Sequence, residues 1–296
     1  MDMQWSPLAR RECRTVLTSK GAWILTALIV LWGFRPTYTG WNAIGQNITI
    51  GYIQLGVNLL LPIGALLLTY QSLIGERTTG SIKFLIALPL KRTQILLGKS
   101  VGRFAGIGAI VGVAVLLISI IGVVEHGTFA VLPFVGVVLA TALLLAALVS
   151  LGVLLSTAVD STVSAAASVL GYIFVTLFWS TVVSKVYTAI TGVPVDPYDA
   201  PASGPLFFAL RLTPDGAYNV LTNWLLGVGN SAEQFHTVYT KLAPGQFINA
   251  FVVEAAFESG TAPWYLHPAL SIVILLTWIA VPMALSRRVF NNGDVL

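Results

Sequence analysis

Six apolar runs punctuate this chain, at residues 21–37, 51–74, 100–124, 131–157, 163–184 and 264–285. Each approaches the roughly 20 residues that a helix needs to cross a hydrocarbon core. In that medium every backbone N–H and C=O must find its partner within the segment, so helices are what such runs form. Only 9% of the residues are charged and 56% are hydrophobic, whereas soluble domains are about a quarter charged. The expected fold is an all-α integral membrane protein, one domain over 1–296 with six transmembrane helices. The first run is the shortest, held between Lys20 and Arg35. No small-residue cleavage site follows it before the next loop, so it should stay as an anchor.

Orientation follows from the basic residues, which short loops retain on the cytoplasmic side. With both termini inside, twelve of the sixteen Lys and Arg residues fall on that side, with five of the twelve acids. The outer side keeps Arg35, Lys185, Arg211 and Lys241 against seven acids. The chain should therefore be a multi-pass protein of the cell membrane with cytoplasmic termini. Cys13 is the sole cysteine, which rules out an intrachain disulfide.

Residues 1–20 have a helical period, with Trp5, Leu8, Ala9, Cys13 and Val16 on one face and Arg10, Arg11 and Arg14 opposite. That pattern predicts an interfacial helix whose arginines meet lipid headgroups. Span two carries Tyr52, Gln54 and Asn58. Amides in a membrane either line a solute path or bond a neighbouring helix. The segment between spans two and three, SLIGERTTGSIKFLIALPLKRTQILLGKSVGR, is too charged to span and too apolar for a solvated loop. A short helix there, stopped by Pro89, is expected to rest on lipid or on another protein. Between spans four and five, Asp160 should cap the helix that follows. In the outer segment 185–263, Thr213, Pro214 and Asp215 make a helix start. Ala217, Val220, Leu221, Trp224 and Leu225 then give an amphipathic helix dipping into the interface or closing over the spans. A second helix is expected over 244–259, presenting Glu254 and Glu258 to solvent.

Gly98-Lys99-Ser100 is half of a phosphate-binding loop. The glycine required five positions earlier is replaced by Thr93, and the flanking strand is missing. The chain lacks His-Glu-x-x-His, Cys-x-x-Cys and Gly-x-Ser-x-Gly patterns, and no ionisable residue falls in the middle of a span. An enzyme and an ion-coupled carrier are both disfavoured, and nothing points to nucleic acid. A membrane scaffold whose outer segment docks a maturing extracytoplasmic protein is an alternative that the residues leave open.

Glu76-Arg77, Gly80-Ser81-Ile82, Leu85, Pro89, Arg92 and Gly98-Lys99 resemble the pattern between spans two and three of type-2 ABC exporter permeases. Ser81 stands where that family usually has Thr. The resemblance extends to the six spans and the outer helices, and among its members is similar to the permeases of copper and nitrous-oxide-reductase maturation clusters. It implies a non-catalytic exporter subunit that holds no cofactor. A separate ABC ATPase would bind ATP and Mg and receive a cytoplasmic coupling helix within 75–99. Ile82, Leu85 and Ile86 would be the anchors of that helix, with Arg77, Lys83 and Arg92 at its rim. Lys99 would lie near headgroups at the end of the coupling segment. A second permease copy, a homodimer with spans two and five near its seam, is implied too, and Gln54 and Asn58 would face the translocation path.

Overall fold

The computed structural model describes residues 5–34, 41–81, 83 and 90–292. Its helices are α1 (Ser6–Leu17), α2 (Lys20–Gly33), α3 (Ile48–Thr69), α4 (Ile74–Thr78), α5 (Arg92–His126), α6 (Val131–Ala158), α7 (Thr162–Leu177), α8 (Trp179–Thr191), α9 (Gly204–Leu210), α10 (Pro214–Leu226), α11 (Phe235–Leu242), α12 (Val253–Ala256) and α13 (Leu270–Asn292). Single-turn or 3₁₀ segments lie at Trp41–Asn47 and Trp264–Leu266. Among the described residues, four helices are long and apolar enough to cross a membrane, those built on α3, α5, α6 and α13. The number becomes six if two bent pairs, α1 with α2 and α7 with α8, each make one crossing.

The bends depart from the straight runs expected. α2 has 14 residues, about 21 Å at 1.5 Å per residue, and meets α1 at 63°. The fifth run breaks at Phe178 by 62°. No proline is there. Instead the Trp179 indole N–H donates to the Ala209 carbonyl at 2.9 Å, pinning the start of α8 to the segment 185–263. The sixth helix starts at Leu270 rather than 264, behind the 3₁₀ turn and Pro268. Conversely α5 begins at Arg92, well before the third apolar run, and extends 35 residues. Asp160 is exposed, and the cap of α7 is Ser161, whose hydroxyl accepts from the Ser164 N–H at 3.1 Å.

α3 is the axis of the bundle: every residue from Ile48 to Val57 is buried, against α2, α5, α6 and α10. α1 was expected to sink its apolar face into lipid. It instead lays Leu8, Ala9 and Val16 along a glycine row of α5, Gly98, Gly102 and Gly106. A Cβ on Gly102 would come within 2.5 Å of the Ala9 carbonyl oxygen, so this contact requires hydrogen there. α10 begins as expected, with the Thr213 hydroxyl accepting from the Gly216 N–H at 3.1 Å. Both of its faces are buried, however, and Trp224, assigned to the packing face, is 46% exposed. Of the second helix expected over 244–259 only Val253–Ala256 forms; a separate helix precedes it at Phe235–Leu242, and 244–252 is not helical. There the Ser231 hydroxyl donates to the Phe251 carbonyl at 2.6 Å and the Val253 N–H to Asn230 at 3.1 Å. Those tertiary bonds hold the chain open.

Gly102→Ala should therefore destabilise the protein by about 1–3 kcal/mol through overpacking. Gly112→Ala, with open space at its Cβ position, should leave thermal stability unchanged or slightly raised. Thermal melts of the two purified variants check this.

Candidate functional site

α5 carries Lys99 and Arg103 one turn apart, hence on one face. The Lys99 ammonium is wholly buried, 3.0 Å from Glu12 Oε1 of α1 and 3.0 Å from Glu76 Oε1 of α4. Arg103 Nε donates to Glu12 Oε2 at 2.8 Å, and its Nη1 to the Leu68 carbonyl in the last turn of α3 at 2.6 Å. Two cations and two carboxylates thus cancel, and one cluster ties together α1, α3, α4 and α5. A buried charge is tolerable when it is paired and hydrogen-bonded. Lys99 lies inside the bundle, covered by the chain's own helices. The carboxylates around it, supplied by two other helices, make the interior site habitable.

The short helix α4 is docked rather than solvated. The Ser156 hydroxyl, in the final turn of α6, accepts from the Leu73 and Ile74 N–H groups at 2.9 and 3.0 Å, satisfying two donors that a helix start leaves open. Arg77 Nη1 reaches the Thr157 carbonyl at 3.3 Å. Gly80 then closes the helix with φ +72°, a left-handed conformation that glycine adopts without strain. Arg92 Nη1 donates to the Phe290 and Asn291 carbonyls at 2.7 and 2.9 Å, with its guanidinium 5.8 Å from the Phe290 ring centroid. Arg77 and Arg92 therefore have partners within the chain. Lys83 is exposed. Ile82, Leu85, Ile86 and Pro89 lie outside the described residues.

Gly98-Lys99-Ser100 sits inside α5, where the backbone N–H groups belong to the helix. Gly98 admits the Trp5 carbonyl and Leu8 of α1. The likeness to a phosphate loop thus reflects a close helix crossing followed by a buried lysine. Glu12 escaped the sequence reading, although a signal was present. It is the one acid in a basic helix, and it falls on the face of Leu8, Ala9 and Val16.

At the far end of the bundle the amides of α3 meet the segment 185–263. Gln54 donates to Thr222 Oγ1 and Asn223 Oδ1 at 2.6 and 2.8 Å and accepts from the Phe235 N–H at 2.8 Å. Asn58 donates to Asn219 Oδ1 at 2.9 Å and accepts from Gln234 at 2.8 Å. Gln54 is fully buried, with its amide wholly engaged. Asn58 borders a cavity of about 300 Å³ between α3, the α7–α8 break and the outer segment, whose walls include Trp179, Asp215, Glu233 and Phe251. Burial pushes the Glu233 carboxyl above its ordinary pKa. Burial does the same to Asp215, partly offset by hydrogen bonds from the backbone and from Tyr172. Arg211, buried at the end of α9, is lowered to about 10 by desolvation, against the pull of Glu254. It donates to the Leu266 carbonyl and Asn230. Glu254 accepts from the Asn230 N–H at 2.9 Å. No cluster of three or more His, Cys, Asp or Glu side chains occurs among the described residues.

Removing one member of the Lys99 cluster strands the opposite charges. Lys99→Met should cost about 3–5 kcal/mol of stability, and adding Glu76→Gln should recover part of that loss in denaturation of the double variant. Glu233 responds to pH in the opposite sense from a salt-bridged acid. Its raised folded-state pKa makes the ionised form a liability, which is relieved as pH falls through that value. The melting temperature should thus rise on mild acidification from neutral pH. Glu233→Gln should flatten the rise, as melts across a pH series will show.

A family model described as ABC-2 family transporter protein matches residues 6–295. Two curated relatives are each called a probable ABC transporter permease protein NosY. That of Stutzerimonas stutzeri is 32% identical over 123 residues, and that of Pseudomonas aeruginosa 31% over the same length. Each match covers 40% of this chain and 43% of the relative, so this chain spans less than half the length of the relatives it matches. Because the family model runs over nearly the whole chain, this multi-pass membrane protein belongs to the ABC-2 transporter family.

Proposed function

We propose that the chain is the membrane permease subunit of an ABC exporter and that it works as a pair with a second copy. The nucleotide, with its Mg, would be bound by a separate ATPase that engages the segment 75–99. One observation carries the reading: the Lys99–Glu76 ion pair. It turns the segment after span two from a loose connection into a lever fixed to the bundle. A force applied near α4 passes through Glu76 to Lys99, and from there to α1 and α3 by way of Glu12 and Arg103. Docking to Ser156 and Thr157 adds α6. Such connected elements move as rigid bodies, which is what alternating access driven by closure of two ATPases requires. On this reading Ile82, Leu85 and Pro89 meet the ATPase, whereas Arg77, Arg92 and Lys99 hold the platform in place. Gly80 ends the short helix.

The charge asymmetry supports cytoplasmic termini, because the end carrying α1, α4 and the close of α13 gathers most of the basic residues. For the solute path, Asn58 and the cavity beside it are better placed than Gln54, whose hydrogen bonds are all taken up. The alternative, a scaffold docking an extracytoplasmic protein on segment 185–263, draws no support from α10, since that helix spends its surface inside the chain.

The test is ATP turnover by the reconstituted complex of this chain with its ATPase. Glu76→Gln should lower permease-stimulated turnover at least about fivefold, the small end of typical coupling energies, and Pro89→Ala should do likewise while the protein still inserts and elutes as a single species. Unchanged turnover in both inserted variants would overturn the proposal.

A further inference from the structure

Beside the α1–α5 crossing lies a trough of about 420 Å³, with Trp5, Ala9, Cys13 and Leu17 on one wall and Val101 and Ala105 on the other. It opens away from the bundle, since Val101 is 39% exposed. Next to it is a concavity of about 400 Å³ lined by Arg10, Arg11, Arg14, Thr15 and Thr18. Arg10 and Arg14 belong to both, so an apolar slot and a cationic pocket share a wall.

The arginines are available. Among the described residues none of Arg10, Arg11 and Arg14 makes an ion pair, because the one acid of α1 within reach, Glu12, is turned to the opposite face by its bonds to Lys99 and Arg103. The ion cluster inside the bundle therefore leaves three positive charges outside it without an ion-pair partner among the described residues. A single-sign basic surface beside an exposed apolar slot complements a molecule that is itself anionic at one end and apolar at the other.

We propose that this double groove is a binding site for an anionic phospholipid of the adjoining leaflet. One acyl chain would lie in the slot over Cys13, and the phosphate would lie among Arg10, Arg11 and Arg14. The charged part follows from the attraction of basic juxtamembrane residues to anionic lipid. The slot adds what a bare basic helix lacks, namely a place that retains one lipid after the surrounding bilayer has been exchanged. The site lies on the outside of the α1–α5 pair and does not depend on transport.

Cys13, half-buried and the sole thiol of the chain, is a built-in reporter. The full chain is placed in nanodiscs of phosphatidylcholine alone or with phosphatidylglycerol, and the rate of Cys13 alkylation by N-ethylmaleimide is measured. Alkylation should slow several-fold with phosphatidylglycerol, and native mass spectrometry after delipidation should retain about one such lipid per chain. Arg10→Gln with Arg14→Gln should weaken retention by about fivefold for each arginine and abolish the lipid dependence of alkylation. Val101→Trp keeps every arginine but fills the slot, and should also lose the retained lipid. Equal alkylation rates in the two lipids would overturn the proposal, and so would undiminished retention in the arginine variant. Slowing by inorganic phosphate in detergent as strong as that by phosphatidylglycerol would assign the pocket to a free anion instead.

Discussion

An ammonium group closed off from water is tolerable only where its charge is cancelled on the spot, and at Lys99 the cancelling groups come from two different helices. Glu12 brings α1 and Glu76 brings α4. Satisfying Lys99 therefore determines where both helices lie, and Arg103 adds α3 by taking the Leu68 carbonyl and the second oxygen of Glu12. The glycine row of α5 makes the arrangement sterically feasible. With Gly98, Gly102 and Gly106 facing α1, the backbones approach closely enough for the short Glu12 side chain to reach both cations.

The same end of the bundle shows a second use of positive charge. Three of the long helices finish there, and a helix end leaves carbonyls open and partial negative charge exposed. Each receives one arginine: Arg103 on α3, Arg77 on α6 and Arg92 on α13. The basic residues that a charge count assigns to one side of a membrane are thus, in part, the caps of its helices. At the opposite end the joints are neutral. Gln54, Asn58, Asn219 and Asn223 link α3 to the outer segment by amides, which need no charge compensation and suit helices packed in an apolar surround.

Much of the helical inventory was legible. Apolar length marked the four helices long enough to cross a membrane and the two bent pairs, and Thr213 before Pro214 marked the start of α10 to the residue. The pairing of Gln54 and Asn58 with other helices follows from their being amides in an apolar run, although nothing in the run names the partner. Other features left no local trace. The break at Phe178 has no proline or glycine, and it depends on Trp179 finding Ala209 some thirty positions on. Residues 244–252 carry a helical pattern but run open to Phe251, whose carbonyl accepts from the Ser231 hydroxyl. α10 reads as amphipathic because its polar face is indeed polar, but that face is buried against amides of α3.

From the sequence alone come the membrane class, the helical character and the unusual nature of the segment after span two, since each depends on composition or on spacing within a few turns. Which charges meet does not come from it. Glu12, Glu76 and Lys99 are far apart along the chain and share no periodicity, and Lys99 in isolation reads as a residue for the surface. Only the close crossing of α1 on α5, permitted by hydrogen in place of side chains at the glycines, brings the carboxylates to the ammonium and makes an interior lysine stable.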